Sequence, residues 1–192
     1  MNALDFYGKP LAVAPQGSPA IPILNHILDP DKPRIIFLSH GPRQLAAKLI
    51  TGEIRAALVP EPLVTVFLEK MPYLTVGENL EQAYGRFTQT NARMPIAGIA
   101  VNARTAKRYP ELMAFLAQEI LAAAQLLSED PAKGIACLPK AFESFISRDL
   151  IEKSLGRDLF MVRKSHGIQE EIQNYLSVLG TPHPDNKDLF YK

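Results

Sequence analysis

The stretches LAVAPQGSP (residues 11–19), IIFLSHGP (35–42) and AALVPEP (56–62) decide the fold. Each carries four apolar residues into a short polar turn that ends in X-Pro and leads into a helix-forming segment. A short apolar run bounded by Gly and Pro reads as a strand, and proline suits the first helical position. Strand–turn–helix units joined by short loops imply right-handed crossovers and a parallel sheet. The turns then share one rim, at the carboxyl ends of the strands, where open α/β sheets bind their ligands.

Outward from these turns, the spacing predicts strands at Leu11–Pro15, Ile35–Leu38 and Ala56–Val59, the second buried on both faces, and a further strand at Tyr73–Val76. Between them it predicts helices opening at Ser18, at Gln44–Ile50, at Leu63–Glu69 and around Glu78–Thr88. After Met94 the rhythm changes: Ile96–Asn102 reads as one more extended segment, and nearly everything beyond it as helix. The longest helix spans Pro110–Ser128, with Leu112, Phe115, Leu116, Ile120, Ala123, Ala124 and Leu127 forming a broad apolar stripe. Further helices are predicted at Pro131–Lys140, Ser144–Leu155 and Ile168–Leu179, and the tail ends in an apolar Leu-Phe-Tyr at 189–191 that should dock. Helices of this kind cover a sheet, yet the second half offers one strand at most. The apolar segment Ile96–Val101 and the long helix are therefore expected to stand exposed and to need a partner segment or self-association.

Composition narrows the function. The 192 residues are 47% hydrophobic and 21% charged, with 16 prolines and a net charge of +1, the profile of a globular chain without the basic balance that nucleic acid demands. Cys137 is the only cysteine, which excludes a disulfide framework and a cysteine metal cluster, and on an apolar helix it reads as a small buried residue. MNALDFYGKP lacks the features of a secretory signal, and no apolar stretch is expected to reach membrane-spanning length. No GxSxG, HExxH, GxxxxGK or GxGxxG is present, and the adjacency of Ser39 and His40 does not make a triad. Asp149, Asp158, Glu170 and Glu171 fall on solvated helix faces, while His166 falls in a turn and His183 in a Pro-rich tail, so no metal or cofactor site and no catalytic group is assigned.

The rim residues carry two readings each. Gly17, Ser18 and Pro19 form an ordinary capped helix start, or a small cradle whose free donors are the Ser18 hydroxyl and the N–H groups of Ala20 and Ile21. Ser39 and His40 directly follow their strand, His40 being either a ligand contact or a plain turn residue. Arg43, in the first turn of the next helix, opposes the helix dipole; it either attracts an anion or is simply solvated. Glu61, stiffened between Pro60 and Pro62, accepts from a ligand or complements its own helix start.

GEIRAALVPEP (52–62) resembles a segment of the substrate-binding proteins of ABC transporters for nitrate, sulfonates, taurine and related compounds, whose relatives include thiamine-precursor binders. GKPLAVAPQGSP (8–19) is similar to the strand and ligand-contacting turn of that family's second lobe, and MPIAGIAVNARTAKRYPELMAFLAQEILAAAQLLSEDP (94–131) to its return crossing and the helix after it. The resemblance implies a type II periplasmic-binding-protein-like α/β fold, with residues 9–94 as a complete parallel-sheet lobe and 95–192 as the helical, returning part of another whose N-terminal portion is missing. It implies a small, anionic ligand trapped between lobes, contacts from Gly17, Ser18, Pro19, Ser39, His40 and Glu61, a membrane permease as partner, a periplasmic or cell-surface location, and no chemistry. Arg55 stands where the family usually has Asp, at a position leading into the strand. Enzymes of the same fold, from menaquinone or thiamine-pyrimidine biosynthesis, and effector-sensing modules of transcriptional regulators are the rival expectations.

Overall fold

The computed structural model describes residues 3–13, 17–89, 93–157 and 161–181. They divide into two compact units: one holds the described residues up to Met94 together with 173–181, and the other those from Pro95 to Ile172.

The first unit is α/β. Strands β1 (Pro10–Val13), β2 (Ile36–Ser39) and β3 (Ala57–Leu58) form a parallel sheet in the order β2-β1-β3. The register pairs Val13 with Ser39 and with Leu58, so all three strands end together. Alternation along the central strand sends successive side chains to opposite faces. On one face Ala12 joins Leu45 and Leu49 of α2 (Pro42–Ile50) and Phe67 of α3 (Leu63–Lys70), with Met71 closing the cluster. On the other, Leu11 meets Leu24 of α1 (Ala20–Ile27), Leu28 and Ile35, with Leu80 of α4 (Leu80–Thr88) at its margin. A third cluster joins Ile23, Tyr84 and Tyr175, the last on α9 (Gln169–Val178). Both sheet faces are thus covered, as a parallel sheet requires.

Two sequence expectations fail here. Ile36 and Leu38 are 54% and 39% exposed, so β2 is not buried on both faces; it lies at the sheet edge, a position that its apolar run does not encode. Tyr73–Val76 forms no strand, and Tyr73 and Val76 are exposed. Its backbone turns instead, with Leu74 N–H donating to the Met71 carbonyl, so strand-forming composition does not by itself make a ladder.

The second unit is helical among its described residues. Ile96–Asn102 forms no strand, and Ile96, Ile99 and Val101 are exposed. Asn102 then caps a helix that the sequence reading did not pick out, α5 (Ala103–Arg108), its Oδ1 accepting the N–H groups of Arg104 and Thr105. Helix α6 (Pro110–Glu129) follows, with Pro110 in its first turn. By length and composition alone α6 could cross a membrane, contrary to the sequence reading. Only Met113 and Ala124 of its 20 residues are buried. The apolar stripe splits: Ile120 and Leu127 are half-buried, whereas Leu112, Phe115, Leu116 and Ala123 are exposed.

Helix α7 (Pro131–Ala136), capped by Asp130, stops well short of Lys140, and a 3₁₀ turn at Lys140–Ser144 and α8 (Arg148–Leu155) complete the segment. Arg148 binds the stop together: its guanidinium donates to the carbonyls of Ala136 and Leu138 and to Glu143. Because α7 ends at Ala136, Cys137 lies beyond it and is exposed, with its thiol 3.4 Å from the Lys133 carbonyl, rather than buried. Asp149 pairs with Lys153 and Glu171 with Arg163 on solvated faces, and His166 is exposed. Asp158, His183, the end of the first strand at 14–15 and the apolar tail at 189–191 lie outside the described residues.

Candidate functional site

The carboxyl ends of β1, β2 and β3 deliver three turns to one edge of the sheet. Each turn is held differently, and the differences separate groups spent on structure from groups left for a ligand.

After β1, Gly17 adopts φ +76°, a left-handed conformation that glycine takes without strain, and nothing lies within 4 Å of the place a Cβ would occupy. Ser18 is half-buried and Pro19 exposed. The Ala20 N–H donates to Ser18 Oγ at 3.3 Å, and the Ile21 N–H donates to the Ser18 carbonyl at 3.3 Å. The two backbone donors expected to be free, the N–H groups of Ala20 and Ile21, are therefore consumed by Ser18 itself.

After β3, Glu61 performs the corresponding task for α3. Its Oε2 accepts the Thr65 N–H at 3.1 Å and the Thr65 hydroxyl at 2.9 Å, and Thr65 is 1% exposed. The peptide bond between Glu61 and Pro62 is cis. A carboxylate at this place satisfies a first-turn donor and complements the helix dipole. Thr65 was not singled out from sequence; the Glu-to-Thr spacing of four residues is the signal that could have found it.

The turn after β2 is unlike the other two. Ser39 is exposed and ends the strand. The His40 N–H donates to the Val13 carbonyl at 2.9 Å, which ties this turn to the end of the central, fully buried strand residue. The His40 imidazole is half-buried, and its Nε2 is buried with no hydrogen-bond partner among the described residues. Buried polar atoms almost always find a partner, and leaving one unpaired costs about 1–3 kcal/mol. Helix α2 opens at once with Gly41 as N-cap and no side-chain cap, and it has no acidic residue in its first turn. Arg43 is exposed in that turn. The local field at this helix start is positive and uncompensated by any cap.

Of the six rim residues singled out from sequence, Ser39, His40 and Glu61 follow closely on parallel strands that end together, Ser18 and Glu61 accept hydrogen bonds from the first turns of their own helices, and the buried His40 Nε2 has no partner among the described residues. Among the described residues no three His, Cys, Asp or Glu side chains gather as a metal would need. No protein-family model, no curated protein and no solved structure matches this chain.

Proposed function

We propose that this chain is the solute-binding component of an ABC transporter, with a type II periplasmic-binding-protein-like fold, and that it takes a small anionic solute at the carboxyl-terminal rim of its sheet without transforming it. The observation that carries the reading is the buried Nε2 of His40, which has no hydrogen-bond partner among the described residues and is fixed by its own backbone to the end of β1. A ligand oxygen there would satisfy a group that the protein leaves unsatisfied. The uncapped start of α2 and Arg43 beside it favour a negative ligand, since a helix N-terminus and a guanidinium both attract anions. The motif GEIRAALVPEP and the order of the three rim turns along the chain support the transporter family over other ligand binders. On this reading the partner is the membrane permease, and the working location is the periplasm or cell surface.

The test is a thermal-shift panel of nitrate, sulfonates, bicarbonate and pyrimidines on the wild-type chain and on His40→Ala. A ligand present at 100 times its Kd stabilises by about 2.7 kcal/mol, a readily measured shift. One anion should raise the melting temperature of the wild type and not of the variant. A shift of equal size in both proteins removes His40 from the site, and release or uptake of protons with product formation on binding would favour an enzyme of the same fold.

A further inference from the structure

The outer edge of β2 is open, and we infer that the solute joins it as an added strand: the ligand of the rim is a short peptide lying parallel to β2, with its C-terminal carboxylate at the turn 39–42. The inference rests on the reading of that rim as an anion site and names the class of anion.

Backbone direction comes first. The N–H groups of Ile36 and His40 donate to the Lys9 and Val13 carbonyls, at 3.0 and 2.9 Å. Successive residues of a strand turn their backbone groups to opposite sides, so those of Phe37 and Ser39 point away from β1. β2 is the outermost strand on that side, and neither Phe37 nor Ser39 makes a backbone hydrogen bond across this edge among the described residues. Such an edge is normally protected by a charge, a proline or a bulge. The strand, IFLS, pairs in continuous register and contains none of these. Its register sets Leu38 beside Ala12, on the face that α2 and α3 cover, yet Ile36 and Leu38 are 54% and 39% exposed. A strand added about 4.8 Å away would pair with Phe37 and Ser39 and lay alternate side chains against Ile36 and Leu38.

Charge sets the direction of that strand. A peptide parallel to β2 ends where β2 ends, so its carboxylate meets the start of α2. That helix has no side-chain cap and no acid in its first turn, which leaves the N–H groups of Arg43 and Gln44 for an anion, with the Arg43 side chain exposed in the same turn. The His40 Nε2, without a partner among the described residues, precedes them directly. An antiparallel peptide would bring its ammonium group there instead, against the positive end of the helix. Strand addition supplies the affinity through the main chain, and Ile36 and Leu38 favour apolar residues at alternate positions of the ligand.

The test is isothermal titration calorimetry on the whole chain with N-acetyl-trivaline as the free acid, its C-terminal amide, and acetate as the bare carboxylate, beside the anions of the thermal-shift panel. The free acid should bind about tenfold or more tightly than the amide or acetate, because strand pairing and a charged acceptor act together. Ser39→Pro deletes an outward N–H at an exposed edge position, where proline is tolerated, and should weaken the acid by about tenfold while leaving a panel anion unaffected, with circular dichroism to confirm folding. N-methylation of the peptide bonds removes the donors of the ligand and should weaken it likewise, with no change to the protein. Equal affinity of acid and amide, a peptide no tighter than acetate, or indifference to Ser39→Pro or to N-methylation overturns the inference, and the rim reading then stands on whichever panel anion binds through His40. If neither the peptide nor any panel anion binds, both fall. A wild type that sediments as a dimer, with the dimer lost in Ser39→Pro, assigns the edge to a second copy and overturns the inference as well.

Discussion

The carboxylate of Glu61 takes both polar hydrogens of Thr65, at 3.1 Å from the backbone nitrogen and 2.9 Å from the hydroxyl, across the first turn of α3. Of the two readings that the sequence leaves open for Glu61, the structure thus shows the one in which it serves its own helix start. Glu61→Ala should destabilise the first unit by about 1–2 kcal/mol, the range for losing a helix cap, measured by urea unfolding. Glu61→Gln retains an acceptor and should cost less than Glu61→Ala. Equal losses in the two variants would mean that the negative charge, and not the hydrogen bonds, is what matters.

Ser18 makes the same point more weakly. Its Oγ accepts the Ala20 N–H at 3.3 Å, so Ser18→Ala should cost about 0.5–1 kcal/mol by urea unfolding. Ser18→Asp keeps the acceptor and adds charge of the sign that a helix start favours, and should recover that loss. The same aspartate should weaken an anionic ligand at the rim, which separates the two roles of this position.

The three strands and their common rim were legible because each is a four-residue apolar run stopped by Gly or Pro, a pattern with few alternatives. What each strand faces was not. Ile36 and Leu38 read as core residues but lie on an edge strand, since order in a sheet is decided by contacts between segments distant in the chain. Tyr73–Val76 and Ile96–Asn102 have strand composition and yet form no strand, although β2 and β3 each leave an outer edge of the sheet, so composition does not decide pairing. Helix α5 had its start signal in Asn102, followed by Ala, Arg and Lys, and was hidden by the apolar run before it. At the rim, the sequence placed Ser18 and Glu61 without revealing that Ala20, Ile21 and Thr65 use their polar atoms. His40 was legible only by position. The unpaired state of its Nε2 depends on what does not surround it.

Gly134 is a site where two effects of similar size oppose each other. Alanine is favoured over glycine in a helix by about 1 kcal/mol, but a Cβ here would lie 2.7 Å from Leu127 Cδ2, 3.1 Å from its Cγ and 3.3 Å from its backbone Cα. The methyl end can move and the backbone cannot, so overpacking at about 1–3 kcal/mol should win and Gly134→Ala should destabilise the packing of α7 on α6. In a Leu127→Ala background the crowding at Cδ2 and Cγ is gone and only the 3.3 Å approach to the residue 127 backbone remains, so the same change should cost less than in the wild type. Thermal melts of the four proteins close the cycle.

Tyr84 and Tyr175 are 3% and 4% exposed and meet edge to face with centroids 6.1 Å apart. Burial, and secondarily the neighbouring Tyr84, hold the Tyr175 phenol above its ordinary value of 10.0. The folded chain therefore keeps this proton at a pH where the unfolded chain releases it. The stabilisation is fully present below about pH 10 and is lost as pH rises through the folded value. Unfolding free energy should begin to fall above about pH 10, and Tyr175→Phe should flatten that decline while keeping the ring contact. An unchanged alkaline slope in the variant would transfer the effect to other groups.

His40→Phe sets the two demands on the rim against each other. The phenyl ring fills the place of the imidazole and is somewhat larger, and the backbone donation to Val13 needs no side chain. What disappears is a buried nitrogen without a partner, a group whose burial costs about 1–3 kcal/mol. The variant should therefore unfold at a higher denaturant concentration than the wild type in the absence of ligand, and it should not respond to the anion that stabilises the wild type. A binding residue is expected to cost stability in this way, because a group kept ready for a ligand is a group the fold leaves unsatisfied. If instead His40→Phe loses stability, the imidazole is held by packing rather than reserved for a ligand, and the functional reading of the turn after β2 falls with it.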